Sequence, residues 1–391
     1  MSATPRSELG AAVIGSGFIG TVHIEALRRI GVQVRGVLGS TPERAAARAT
    51  QLGVGHAYPD LDALLADGSV DVVHVTSPNH LHHPQVRQIL AAGKHVVCEK
   101  PLAMTSRESA ELVELAGASG RVNATNFNIR FYPLNQHLHE AIGGGDLGAV
   151  RLVTGHYFQD WLFHDTDYNW RLLPKEGGKL RALADIGTHW LDAASFVLGD
   201  HPAEVLADLG IHHKKRKRPL GEVKTFGGKN DGGRWQSYTV ETEDFASVLL
   251  HYAGGTHGTL SVSQVAAGRK NQLRIEIYGA KQSAWWDSES PEQLHFGHRD
   301  TANHVAIRAA AGFSREEVRP FMDYPPGHVE GFPDSFKMQF RAIYTKIAGG
   351  KGAPLFATVE DGDMEVRLCE AILKSHTSRR WTPVTSGGRR R

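Results

Sequence analysis

Two stretches of the chain carry side chains suited to acid–base chemistry. The first is His95-Val96-Val97-Cys98-Glu99-Lys100-Pro101. A short apolar run delivers Glu99 and Lys100, and Pro101 has no backbone N–H to continue a sheet ladder. The spacing predicts a buried strand with a carboxylate and an ammonium at its end, where a parallel sheet opens into a ligand crevice. Read alone, the triplet is a strand-end ion pair. The second stretch is Ala184-Asp185-Ile186-Gly187-Thr188-His189-Trp190. It lies in a helical pattern, and residues four apart share one helix face. An acid and an imidazole so placed can orient a hydroxyl and take its proton, because histidine titrates near neutral pH. The plainer alternative is a helix cap at Asp185 and a core histidine at His189.

The elements that must position Lys100 begin with the apolar run Ala11–Ile14, followed directly by Gly15-Ser16-Gly17-Phe18-Ile19-Gly20 and then by helical spacing through Ile30. This is strand, glycine turn, helix. Gly15 permits the turn, Gly17 lets the backbone approach a pyrophosphate, and Gly20 lets the helix pack on the strand. The helix N-terminus, with Phe18 and Ile19, presents N–H groups and positive potential to phosphates. A second strand, Val32–Leu38, ends in Gly39-Ser40-Thr41 rather than in the acid that selects NAD, so the dinucleotide can be NAD or NADP, with Ser40, Thr41 and Arg44 near its ribose. Further strands at 70–76, 95–98 and 121–125 alternate with helices at 42–52, 61–65, 84–92 and 106–116. That alternation predicts a doubly wound parallel sheet.

The chain has 391 residues, more than one ordinary core holds, so two domains are expected. The boundary is placed at 126/127: a Rossmann dinucleotide domain over 1–126 and an α+β domain over 127–391 for substrate binding and oligomerisation. A formal charge of +2 argues against a general nucleic-acid or membrane-surface binder. No apolar run approaches bilayer length, and Met1–Gly10 is polar, so a cytoplasmic protein without membrane partners is expected. Cys98 and Cys369 sit in apolar patterns as buried thiols. Twenty-two histidines occur, but none with zinc-site spacing, so no metal is expected.

In the second part a helix over 134–142 precedes strand-like runs at 150–161, 203–212, 244–252, 256–265, 273–278 and 283–287. Runs of strands after one helix predict an open, mainly antiparallel sheet. Two helices follow, 336–347 and 360–376, and these can pack back on the first domain. The basic run 212–218 with glycine-rich 227–233 reads as a solvated hairpin excursion, and without interleaved aromatics it does not read as a nucleic-acid site. Residues 387–391 read as a frayed tail.

Gly15–Gly20 with His23, Thr76-Ser77-Pro78-Asn79 with His82 or His83, Ala92 to Pro101, and Asn126 to Pro133 with Arg130 together resemble the glucose–fructose oxidoreductase / inositol dehydrogenase / MocA family over nearly the whole chain. The resemblance implies that Lys100, Asp185 and His189 converge on the substrate carbon facing a nicotinamide. It implies a cofactor site formed by the glycine turn, Thr76, Ser77, Pro78, Asn79, His82, Glu99, Lys100 and Asn126, and it implies a homodimer or homotetramer joined through the open sheet. Such a constellation supports hydride transfer between nicotinamide and a ring hydroxyl or ketone of a sugar, sugar derivative or cyclic polyol. His189 would be the base, Lys100 would favour a developing alkoxide, and Asp185 would orient substrate or histidine. Relatives with the same parts hydrolyse glycosides by transient oxidation, sulfoquinovosides among them, so a redox glycosidase is the alternative. A non-catalytic dinucleotide sensor is a third reading, opposed by the presence of Lys100 and His189.

Around the expected pocket, Gln159-Asp160-Trp161 and Asp165 to Arg171, with Trp170 and Arg171, combine aromatic faces with polar groups suited to carbohydrate. Lys179 and Arg181 form a cation pair that could recognise an anionic substituent. Arg130 and His328 complete the expected substrate contacts.

Overall fold

The computed structural model describes residues 6–220, 234–309 and 319–385. The glycine-rich stretch 227–233 and the tail 387–391 lie outside the described residues. The chain divides into two compact units, 1–131 with 332–366, and 132–331 with 367–391.

In the first unit six strands form one parallel sheet: β1 (Gly10–Ile14), β2 (Gln33–Leu38), β3 (His56–Tyr58), β4 (Val72–Val75), β5 (His95–Cys98) and β6 (Asn123–Thr125). Their order, β3-β2-β1-β4-β5-β6, reverses between β1 and β4, and ligands bind at such a switch point in open α/β sheets. β1 and β4 are buried at every position, as strands covered on both faces must be. The helices between them are α1 (Phe18–Arg29), α2 (Pro42–Leu52), α3 (Leu61–Ala66), α4 (His82–Ala91) and α5 (Ser106–Ser119). Local chemistry sets their ends. Thr41 caps α2 ahead of Pro42, and Thr105 with Glu108 forms a capping box on α5. β3 has only three residues, too few to show an alternation in the sequence.

The second unit opens with α6 (Pro133–Gly143) and contains β7 (Val150–Phe158), a short α7 (Pro174–Gly177), α8 (Thr188–Leu198), β8 (Pro202–Gly210), β9 (Lys215–Pro219), β10 (Trp235–Thr239), β11 (Phe245–Tyr252), β12 (His257–Ser263), β13 (Gln272–Gly279), β14 (Ser283–Asp287), β15 (Gln293–Gly297) and β16 (His304–Ile307). After these come α9 (Phe332–Ile347), in the first unit, α10 (Val359–Ser378), which runs from the first unit into the second, and β17 (Thr382–Pro383). Nine strands make one sheet in the order β16-β15-β14-β13-β7-β12-β11-β8-β17. All neighbours are antiparallel except β7 and β12. β11 alternates, with Ala246, Val248 and Leu250 inward and Ser247 and Leu249 exposed, the pattern of a sheet covered on one face.

Three expectations are corrected here. The basic run is not wholly a solvated excursion: β9 pairs with β10, and Arg216 is buried, because Asp244 and the Leu162 and His164 carbonyls take up its guanidinium, while Lys215, Lys217 and Arg218 are exposed. Cys369 is half-buried rather than buried. The strand read over 150–161 stops at Phe158. Among the described residues no helix is long and apolar enough to cross a membrane.

Candidate active site

The first unit builds a cradle where β1 meets α1. Gly15 adopts φ +91°, a conformation that L side chains rarely take, and its N–H donates to the Leu38 carbonyl at 2.8 Å. A Cβ on Gly20 would stand 2.0 Å from the Gly15 oxygen. Around Gly17 nothing lies within 4 Å of an added Cβ, and Gly17 starts α1 with no side-chain cap. No side chain caps the start of α1, and the backbone at Gly17 can be approached closely. These residues fit a dinucleotide pyrophosphate. Thr76 braces the turn, its Oγ donating to the Ile14 and Gly15 carbonyls at 2.8 Å each. Ser40, Thr41 and Arg44 are exposed beyond β2.

Lys100 follows β5, and the Lys100–Pro101 peptide is cis. Beneath it Glu99 is buried. Asn126 Nδ2 donates to Glu99 Oε1 at 2.5 Å, and His23 Nε2 lies 3.1 Å from the same oxygen. His23 Nδ1 is 2.9 Å from His74 Nδ1, and His74 Nε2 is 3.0 Å from the Tyr344 hydroxyl. Burial opposes the Glu99 charge, but the His23, Lys100 and Asn126 contacts outweigh it and hold the carboxyl below its ordinary value. Burial pushes the His74 ring well below its ordinary value, with His23 adding to the effect. A neutral His74 then accepts from the Tyr344 hydroxyl and donates to His23, which donates to Glu99.

His82, expected at the cofactor, is instead a buried tie. Its ring nitrogens lie 2.7 Å from the Pro101 carbonyl and 2.8 Å from the Ser77 carbonyl. It joins the loop Ser77-Pro78-Asn79 to the Lys100–Pro101 loop from behind. Arg130 is corrected likewise: it is buried and pairs with Asp361 at 3.6 Å.

Asp185 and His189 belong to the second unit. Residues Leu183–Gly187 form a π-helical turn, and His189 is the second residue of α8, so the pair straddles a change of helix type. π turns concentrate at functional sites. Arg171 Nε donates to Asp185 Oδ1 at 3.0 Å, and Gln264 Nε2 donates to Asp185 Oδ2 at 2.8 Å. Arg171, expected to meet substrate, is thus first the partner of Asp185, and its guanidinium stands 4.5 Å from the Trp170 ring. The His189 ring is 6.3 Å from Tyr157. Tyr157 and Gln159 both donate to Asn271 Oδ1, at 2.7 and 2.6 Å, and Trp161 Nε1 donates to Gln159 at 2.8 Å. Asp160 pairs with Lys270 at 2.6 Å.

The cation pair is split. Lys179 is exposed, whereas Arg181 is buried and bonded to Asp244, to Gln264 Oε1 at 3.1 Å and to Thr242. Arg181 cannot reach an anionic substituent, because its guanidinium is already consumed by the core. His328 is exposed, and its carbonyl accepts from Arg308 at 2.8 Å. Sequence reasoning missed Gln264, Asn271 and Tyr157. For Gln264 a signal existed: positions 258, 260, 262 and 264 continue one inward register, and Gln264 is the polar member.

Residues 9–127 match the model of an oxidoreductase family with an NAD-binding Rossmann fold (GFO_IDH_MocA), and residues 135–285 match the GFO/IDH/MocA C-terminal domain. Levoglucosan dehydrogenase of Pseudarthrobacter phenanthrenivorans is 28% identical over 96% of this chain and 98% of its own length. The 1,5-anhydro-D-fructose reductase of Ensifer adhaerens is 33% identical over 64% of this chain and 72% of its own. A solved levoglucosan dehydrogenase in complex with NADH and L-sorbose superposes with a TM-score of 0.87 at 26% identity, covering 97% of this chain and 99% of that one.

Proposed function

Since the chain belongs to the Gfo/Idh/MocA family of NAD-binding Rossmann oxidoreductases, we propose that it transfers hydride between a nicotinamide dinucleotide and a ring hydroxyl or ketone of a sugar, sugar derivative or cyclic polyol. The observation that carries this reading is likeness along the whole chain, in sequence and in fold, to a dehydrogenase of an anhydrosugar.

The bound nicotinamide supplies the hydride acceptor or donor, and the protein supplies the proton path and the orientation. His189 takes the proton of the substrate hydroxyl in the oxidative direction and returns it in the reductive one. Lys100 faces the oxygen as charge develops on it. Asp185, held by Arg171 and Gln264, stands four residues before His189, where a carboxylate favours the protonated imidazole that forms as the alcohol is oxidised. Glu99, held ionised by His23 and Asn126, sets the electrostatics behind Lys100. Gln159, Trp161 and Trp170 offer a mixture of aromatic and amide surface that suits a carbohydrate.

No acidic side chain stands in Gly39-Ser40-Thr41 to repel a 2′-phosphate, which supports use of NADP as well as NAD. The site residues that remain assigned to the dinucleotide are Gly15, Gly17, Phe18, Ile19, Gly20, Ser40, Thr41, Arg44, Thr76, Ser77, Pro78, Asn79, Glu99, Lys100 and Asn126. The family resemblance further supports a cytoplasmic homodimer or homotetramer, with the boundary between the Rossmann and substrate domains near residue 126.

The test is near-ultraviolet absorbance of reduced nicotinamide during incubation with NAD or NADP and a panel of sugars, inositols and aryl glycosides, with aglycone release followed in parallel. Reduced cofactor stoichiometric with substrate is expected. Lys100→Met and His189→Ala should each abolish turnover while dinucleotide binding persists. Aglycone release without net reduction would overturn the net dehydrogenase reading, and a near-wild-type rate in either variant would overturn the role given to that residue.

A further inference from the structure

Both carboxylate oxygens of Asp185 accept hydrogen bonds, Oδ1 from Arg171 and Oδ2 from Gln264. The orientation of the Gln264 amide is dictated from behind. Arg181 Nη1 lies 3.1 Å from Gln264 Oε1, and a guanidinium has only donors. The amide oxygen must therefore face Arg181, which leaves the amide nitrogen to face Asp185. Gln264 and Arg181 are both buried.

Arg181 cannot turn away, because it belongs to a closed charge cluster. Asp244 Oδ1 accepts from Arg181 and, at 2.9 Å, from Arg216, while Oδ2 accepts from the His212 and His213 backbone N–H groups at 2.7 and 3.0 Å. Arg216 also donates to the Leu162 and His164 carbonyls at 2.9 and 2.8 Å. Glu243 accepts from the backbone N–H groups of Arg181 and Leu183 at 2.9 and 2.8 Å, which fixes the entry to the π turn. Burial opposes the Asp244 charge, and the two guanidiniums with the His213 N–H outweigh it, so its carboxyl lies below its ordinary value.

We propose that Gln264 is a positioning residue for the reaction: it holds the Asp185 carboxylate in place as a hydrogen-bond acceptor, and the Arg181–Asp244–Arg216 cluster sets the direction of its amide. The inference rests on the function proposed above. Arg171 from the turn 170–172 and Tyr157 from β7 face Asp185, His189 follows it by four residues in α8, and Arg181 acts on it through the Gln264 amide. Gln264 can be changed so that a donor becomes an acceptor without altering size.

In Gln264→Glu one oxygen still accepts from Arg181, and the other meets the Asp185 carboxylate where an N–H stood. Two carboxylates at that distance retain a proton to higher pH. The expected result is an upward shift of the acid limb of kcat/KM by about one pH unit or more. The γ-carbon-13 resonance of Asp185, assigned through Asp185→Asn in aspartate-labelled protein, should shift its titration in the same direction. Gln264→Met removes the donor without adding charge, and should lower kcat with dinucleotide affinity unchanged and the acid limb in place. Superimposable carboxyl titrations and acid limbs in wild type and Gln264→Glu would overturn the inference, as would a wild-type kcat in Gln264→Met. The carboxyl titration needs no substrate. A shifted titration in a protein that oxidises nothing in the panel would therefore overturn the function reading and not the hold of Gln264 on Asp185.

Discussion

His74 is completely buried between His23 and Tyr344, and burial holds its ring neutral well below the ordinary histidine range. In the unfolded chain the same ring takes up a proton near pH 6.5. The folded state thus binds fewer protons, and the contribution of His74 to stability is complete above that pH. It is lost as the pH falls below 6.5, at up to about 1.4 kcal/mol per pH unit until the folded ring itself titrates. Replacing His74 by Gln removes this dependence and disturbs two buried hydrogen bonds, at a cost of about 1–3 kcal/mol near neutral pH. Urea unfolding of wild type and His74→Gln, run at several values between about pH 7.5 and 5.5, should show the variant less stable at the upper end. Below pH 6.5 the gap should close by about 1.4 kcal/mol per unit. Two stability curves that stay parallel through this range would refute the reasoning, because a neutral buried ring cannot leave the slope unchanged on removal.

Two more perturbations follow from the packing. Gly20→Ala would place a methyl group 2.0 Å from the Gly15 oxygen and 3.0 Å from Thr76 Oγ, so α1 must retreat from the turn, and dinucleotide affinity measured by NADH fluorescence should fall on the order of tenfold or more. Asp244→Asn would leave two buried guanidiniums against a neutral amide; urea unfolding should show a loss of about 3–5 kcal/mol, and a change below about 1 kcal/mol would refute the role of the cluster.

The parallel sheet was legible because its buried strands are continuous apolar runs and its punctuation is glycine and proline, both local signals. Glu99 and Lys100 were legible for the same reason, being the charges that directly follow such a run, with a proline behind them. Arg181 and Arg216 show where legibility ends. Both lie in charged company, and sequence offers no way to see that Asp244, just ahead of β11, draws the two inward. His82 misled for a related reason: a ring beside a cofactor motif can face the ligand or tie two loops from behind, and only the partner carbonyls at Pro101 and Ser77 distinguish these. The short outer strands β15 and β16 gave no signal, since four or five residues of mixed polarity pair only because a neighbouring edge is present.

The Leu183–Gly187 turn carries one residue more than an α-helix of the same rise would hold. The extra residue is taken up within the turn, so the helix on either side keeps its direction. Deleting Ile186 would let the segment relax to ordinary helix with both flanks in place, and Asp185 would then stand three residues before His189 rather than four. The spacing between acid and imidazole is thus guarded by chain length rather than by residue type.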